Sequence, residues 1–205
     1  VIIQEALARR ADELRGVNIV SGFNITKGPA PFCKPEYKDS FFVNSLFLCA
    51  DQRQYVAEGY GSLIPGFLGE LPSLIRRHEI PIDVACINCS LPDENGYCSY
   101  NISGDLAQPA VESAKIVIAQ VNKSIPYLYG TAMIHESQIT AAVECDDPPV
   151  DMQFGPPTEI ESAIGSYIAA EIPDGATLQI GVGGIPNATL NGLKDHKHLG
   201  LHTEA

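Results

Sequence analysis

Two short apolar runs constrain the fold more than any other feature of this sequence. Residues 82–89 and 115–121 are dense in β-branched, alanine and cysteine side chains and lack the alternation of a strand with one wet face. Such runs mark strands covered on both sides, as in parallel sheets with helices laid over them. A short helix is expected at 110–114, ahead of the second run, and a further strand at 139–144. Nearer the start, Ile3, Leu7, Ala11 and Leu14 share one face of a helix over 3–15 that Gly16 stops, and Val17-Asn18-Ile19-Val20 follows as a strand. The proline-bearing stretch 27–38 reads as a loop and 41–48 as a strand or buried turn. The glycine-rich passage 59–69 reads as irregular chain leading to a short helix at 72–77. Strands alternating with helices define an α/β protein with a largely parallel sheet and flanking helices. Its strands are expected near 17–21, 82–90, 115–121, 139–145, 176–181 and 199–204.

The stretch 146–157 holds four prolines, which makes it the boundary between a first half, 1–150, and the start of a second, 158–205. Thr158 and Glu161 then spell a capping box for a helix that runs to about Glu171. Pro173-Asp174-Gly175 turns into a strand at 177–181, a glycine loop covers 181–186, a helix follows to about Lys194, and 199–204 is the last strand. Helix then strand at 3–20 faintly echoes helix then strand at 187–204.

Composition removes several classes of function. With 45% hydrophobic and 19% charged residues, the 205-residue chain has the make-up of a globular core rather than a disordered segment. The net charge is −12, and basic runs stop at Arg9-Arg10 and Arg76-Arg77, so no nucleic-acid partner is expected. No apolar run approaches the roughly 20 residues that span a bilayer, so no membrane partner is expected either. Val1 opens straight into an amphipathic pattern, and no signal peptide is expected. The six cysteines sit mostly in apolar runs, as reduced thiols do in the cytoplasm, or in the mitochondrial matrix of a eukaryote.

No metal site is expected. Cys86 and Cys89 would point to opposite faces of one strand, and His196, His198 and His202 are too loosely placed to form a ligand set. G-x-S-x-G, P-loop and H-E-x-x-H motifs are all absent.

The glycine loop carries the most chemical information. In Gly181-Val182-Gly183-Gly184-Ile185-Pro186 a strand turns into a helix through residues that let a ligand approach the backbone. The first amides of that helix can face an anionic or carbonyl oxygen, and Pro186 suits a first helical turn. A tight turn without a ligand is the plainer alternative. Glu204 closes the next strand and should lie beside the loop, because the carboxyl ends of parallel strands border the ligand crevice. Spacing alone favours a solvated strand-end glutamate there. Leu199, Leu201 and Ala205 nevertheless give it apolar neighbours, and His202 and Thr203 polar ones. A dinucleotide-binding fingerprint would also use Gly181, Gly183 and Glu204, but its sixth position needs glycine or alanine and here is Pro186.

At Leu178-Gln179-Ile180-Gly181-Val182-Gly183-Gly184-Ile185-Pro186-Asn187-Ala188 and at Leu199-Gly200-Leu201-His202-Thr203-Glu204 the sequence resembles the acetyl-CoA hydrolase/transferase family, most of all its 4-hydroxybutyrate and butyrate–acetate CoA-transferases. The likeness is not confined to these motifs. It extends backwards through Lys34-Pro35-Glu36, Glu70-Leu71-Pro72, Pro92-Asp93-Glu94-Asn95-Gly96 and Ile134-His135. The resemblance implies two similar halves of the NagB/RpiA/CoA-transferase-like fold, against which this chain is short at both ends. It departs from the family at Tyr60-Gly61-Ser62-Leu63, at Ile102-Ser103-Gly104-Asp105 and at Ala205.

By the same resemblance Glu204 is the nucleophile, while Gly181, Gly183, Gly184, Ile185, Pro186 and Asn187 bind coenzyme A. Coenzyme A is then a substrate and no cofactor is held. The partners are an acyl-CoA and a short-chain carboxylate, and the enzyme is a homo-oligomer. An acyl-CoA hydrolase and a CoA-binding piece without turnover are the rival readings. Glu94-Asn95-Gly96 spells the nucleophile motif of other CoA-transferases, but it falls where this family has a structural turn.

Overall fold

The computed structural model describes residues 2–23, 28–100, 104–150 and 155–203. Within it the chain forms two compact units, Val1–Val150 and Asp151–Ala205.

The first unit opens with helix α1, Ile2–Arg9, followed by strand β1, Val17–Ser21. The helix ends well before the expected residue 15. Its continuation tightens into three-residue turns, with Arg10 N–H bonded to the Leu7 carbonyl and Ala11 N–H to the Ala8 carbonyl. The Arg15 guanidinium then takes the carbonyls of Ala11, Asp12 and Leu14, which a longer helix would need as acceptors. The expected loop at 27–38 holds a 3₁₀ turn at Pro35–Tyr37.

Strands β2, Phe41–Ser45, and β3, Gly61–Leu63, join β1 in a parallel sheet of order β1-β2-β3. Helix α2, Ala50–Ala57, links β2 to β3 and had no counterpart in the sequence reading. Its inner face buries Asp51 and Gln52 beside Tyr55, so it shows no apolar stripe.

Helix α3, Leu71–Arg76, leads to a second parallel sheet made of β4, Val84–Cys89, β6, Ile116–Asn122, and β8, Ala141–Cys145, in the order β4-β6-β8. Helix α4, Gly104–Ser113, precedes β6 and is longer than expected because it carries Pro109 inside it. That proline made its first half read as loop. A short antiparallel pair, β5, Tyr97–Ser99, with β7, Met133–His135, was also not anticipated.

The expectation of two covered faces is met by β6 but fails for β4. In β4, Ala85, Ile87 and Cys89 are buried while Val84, Cys86 and Asn88 are exposed. β4 is an edge strand. Its inner side chains meet Cys98, Tyr100, Val111 and Ile134, and its outer ones have no such layer among the described residues. β6 is the central strand and also buries the polar Gln120 and Asn122, the former accepting the Ile2 N–H.

In the second unit α5, Glu159–Glu171, starts on the capping box read from the sequence. The Thr158 hydroxyl accepts the Glu161 N–H at 3.2 Å, and the Glu161 carboxylate accepts the Thr158 N–H at 2.7 Å. These donations from the Thr158 N–H and then its hydroxyl hold the Glu161 carboxyl below the usual carboxylate range. Strand β9, Thr177–Leu178, helix α6, Gly184–Gly192, and strand β10, Gly200–Leu201, follow, with β9 and β10 parallel. α6 begins three residues earlier than the helix expected from 187, so Gly184 belongs to the helix rather than the loop.

Helices α5 and α6 meet along a row of small residues spaced by four. A Cβ on Gly165 would stand 2.7 Å from the Ala188 carbonyl carbon, and one on Gly192 would stand 2.8 Å from the Ala169 Cβ. A Cβ on Gly184 would overlap the Glu161 carboxylate. Backbones therefore approach each other directly here.

Candidate active site

The second unit draws the glycine loop and the end of β10 into one place. The β9–β10 ladder runs from Gly200 N–H to the Ala176 carbonyl and from His202 N–H to the Leu178 carbonyl, each at 2.9 Å. The next partner is a side chain. Ile180 N–H donates to the Thr203 hydroxyl at 3.1 Å, and that hydroxyl donates to the Ile180 carbonyl at 2.8 Å. This substitution ends the regular ladder, so both strands are shorter than the expected 176–181 and 199–204.

Ile180, Gly181, Val182 and Asn187 on the loop side, and Leu201 and Thr203 on the strand side, border a cleft of about 240 Å³. Its walls are mainly apolar, with Asn187 and Thr203 as the residues with polar side chains. A few polar groups in an apolar cleft are the usual make-up of a small-molecule site.

The loop residues differ in what they offer. Gly183 takes φ 144, a backbone conformation that side chains disfavour, and forms the cap from which α6 departs. Gly184 and Ile185 open α6, so their N–H groups have no acceptor within the helix. Pro186 has no N–H, and Asn187 N–H already bonds the Gly183 carbonyl at 3.2 Å. Asn187 therefore has its backbone N–H committed to the helix. The missing side chain of Gly184 serves α5, because Glu161 fills the space. The expected nucleophile, Glu204, lies outside the described residues, immediately after Thr203.

The other candidate motifs resolve into structure. Glu94-Asn95-Gly96 forms an exposed turn closed by Gly96 N–H on the Asp93 carbonyl, with Gly96 at φ 82. The Asp93 carboxylate accepts the Tyr97 and Asn95 N–H groups and the Tyr127 hydroxyl. The Tyr97 N–H leads in holding that carboxyl below the usual range. His135 reaches the Asn95 carbonyl from β7 at 3.1 Å.

Cys86 is exposed and Cys89 buried, on opposite faces of β4 as the spacing implied. Burial pushes the Cys89 thiol up to about 12, as it does that of Cys33, so both stay protonated at neutral pH. His196 bonds the Ile172 carbonyl at 2.9 Å. No helix among the described residues is long and apolar enough to cross a membrane.

Comparison with known proteins defines the class. The family model for the acetyl-CoA hydrolase/transferase N-terminal domain matches residues 1–152. The chain belongs to the acetyl-CoA hydrolase/transferase family.

A 4-hydroxybutyrate coenzyme A transferase of Clostridium kluyveri is 41% identical over 204 residues, which span 100% of this chain and 47% of that protein. A succinyl-CoA:acetate/propanoyl-CoA:succinate CoA transferase of Fasciola hepatica is 41% identical over 87% of this chain and 37% of its own length. The chain thus spans less than half the length of these two relatives. Among solved structures, a 4-hydroxybutyrate CoA-transferase from Porphyromonas gingivalis superposes with a TM-score of 0.74 at 33% identity, over 97% of this chain and 53% of that one. The fold is that of the CoA-transferases.

Thr203 escaped the sequence reading, which noted it only as a polar neighbour. Its part depends on a side chain meeting the backbone 23 residues away. The four-residue spacing of Gly184, Ala188 and Gly192, matched by Gly165 and Ala169, was the signal for the close helix pair.

Proposed function

We propose that this chain belongs to an acyl-CoA:carboxylate CoA-transferase in which Glu204 is the nucleophile. The observation that carries the reading is the cleft between the glycine loop and the end of β10, whose strand-side wall finishes at Thr203, one residue before Glu204. The family membership and the transferase names of the relatives support the same chemistry.

The Glu204 carboxylate attacks the carbonyl carbon of the acyl-CoA, the C–S bond breaks, and an acyl–glutamyl anhydride and CoA thiolate result. The thiolate attacks the glutamyl carbonyl, releasing the first carboxylate and leaving a glutamyl-CoA thioester. An acceptor acid runs the same steps in reverse. The Gly184 and Ile185 N–H groups at the start of α6 are the donors suited to a developing oxyanion, a role worth roughly 3 kcal/mol per donor. Acetyl-, butyryl- or 4-hydroxybutyryl-CoA and a short carboxylate such as acetate are the substrates of this reading. Coenzyme A is a substrate rather than a held cofactor, and the setting is the cytoplasm.

The test uses the full-length protein. Thioester exchange should require acetate; release of free CoA by water alone would make the enzyme a hydrolase. Glu204→Ala should abolish exchange, and Glu204→Asp should lose most of it, because the shorter arm withdraws the attacking oxygen by about 1 Å. Glu94→Ala should keep most activity. Borohydride added after acyl-CoA should reduce the thioester on the peptide holding Glu204. A label on the Glu94 peptide would overturn the assignment.

A further inference from the structure

We infer that Thr203 is a positioning residue for the reaction, its hydroxyl tying the residue before the glycine loop to the residue from which Glu204 follows in the chain. The inference rests on the proposed role of Glu204, and its geometric part stands on the described residues alone.

In a regular parallel ladder the Ile180 N–H would donate to the His202 carbonyl, continuing the pattern set by His202 N–H on the Leu178 carbonyl. Here the single Oγ1 of Thr203 accepts that N–H at 3.1 Å and donates its own proton to the Ile180 carbonyl at 2.8 Å. Both backbone polar groups of Ile180 are therefore satisfied by one side chain. Ile180 precedes Gly181, so the point from which the loop departs is fixed. Thr203 precedes Glu204, so the attacking residue begins from a Cα that is tied to the same loop. One clasp thus ties the residue before the loop to the residue before Glu204.

The choice of side chain follows from the double contact. Among side chains of this size only a hydroxyl can donate and accept at once; valine, the same shape, can do neither. Threonine adds a branched Cβ that restricts χ1, so the hydroxyl stays aimed at Ile180 without a search. Serine keeps both hydrogen bonds with less restraint. A group that only filled space would be replaced well by valine and poorly by serine. A positioning group gives the opposite order.

The experiment compares Thr203→Val and Thr203→Ser in the full-length protein by single-turnover formation of the glutamyl-CoA thioester. The rate constant for that step does not depend on the fraction of molecules folded. Thr203→Val should lower it about 100-fold, the scale of a 1 Å misplacement, with the KM for acyl-CoA changed by less than about threefold. Thr203→Ser should stay within about fivefold of wild type. Where Thr203→Val does not fold, Thr203→Ala leaves room for water at Ile180 and should show the same slow step.

A wild-type rate in the valine or alanine variant overturns the inference. So does a larger loss in serine than in valine, the order that a packing role gives. If the wild-type protein forms no thioester on the Glu204 peptide, the functional reading fails first. A labelled Glu204 with an unaltered valine variant would remove only the role of Thr203.

Discussion

The two units hold themselves together in different ways. The first buries large side chains: Phe41, Tyr55, Tyr100, Leu71, Ile75 and Ile134 are almost wholly enclosed, in three clusters around two parallel sheets. The Tyr55 hydroxyl even reaches the Phe41 carbonyl inside that core, at 3.0 Å. The second unit buries Gly165, Ala169, Ala188 and Leu193 among its described residues, while Ile160, Tyr167 and Leu201 stay exposed. One unit is filled by volume, the other is joined by backbone approach. Volume can be redistributed among neighbours, whereas a gap closed by main chain has nothing to redistribute.

The comparison breaks or sharpens at particular residues. Phe41→Ala should have the largest effect, about 4 kcal/mol of lost stability in denaturant unfolding, because it empties the centre of the first cluster. Gly165→Val should follow at about 3 kcal/mol, reported by faster amide exchange in α5 and α6, since the new atoms meet Ala188 backbone. The decisive pair is smaller. Gly165→Ala adds one methyl group and should cost about 2 kcal/mol, whereas Phe41→Leu, a larger change in shape, should cost about 1 kcal/mol. If the leucine variant proved the more damaging, the distinction between the units would fall.

The smallest effects belong to the capping box. Thr158→Ala should cost about 1 kcal/mol in thermal unfolding at neutral pH. The Glu161 carboxyl titrates lower in the folded protein than in the unfolded chain, so its contribution is fully present above the unfolded value. That contribution is lost as the pH falls through the folded one. Wild type and Glu161→Gln should therefore differ at neutral pH and converge in acid. A gap that widened in acid would contradict the observed bonds to Thr158.

Which parts of this fold could be read from sequence depended on whether a local rule carried the signal. The Thr158–Glu161 box is local and was legible, as was β1 with its run of branched residues. α2 was hidden because Asp51 and Gln52 point inward, contrary to the pattern that marks a helix. α4 was half hidden by Pro109, and β5 and β7 are too short to show a period. The exposure of β4 depends on its place at a sheet edge, which no single strand reveals. In the site, the glycine loop announced itself by composition. The division of labour within it did not, because only the fold sets Gly184 against Glu161 and turns Asn187 N–H back into the helix.

A row of small residues repeated every four positions is nearly self-similar, so a slip of one helical turn between α5 and α6 would again set small against small. Two polar contacts remove that ambiguity. Advancing α6 by a turn would bring Ala188 to Glu161, whose carboxylate tolerates only glycine opposite and is kept from swinging aside by Thr158. Retreating by a turn would draw the loop away from Ile180, which Thr203 holds by both its backbone groups. A monotonous stretch is thereby read in a single frame, much as a start signal sets the frame of a repetitive message.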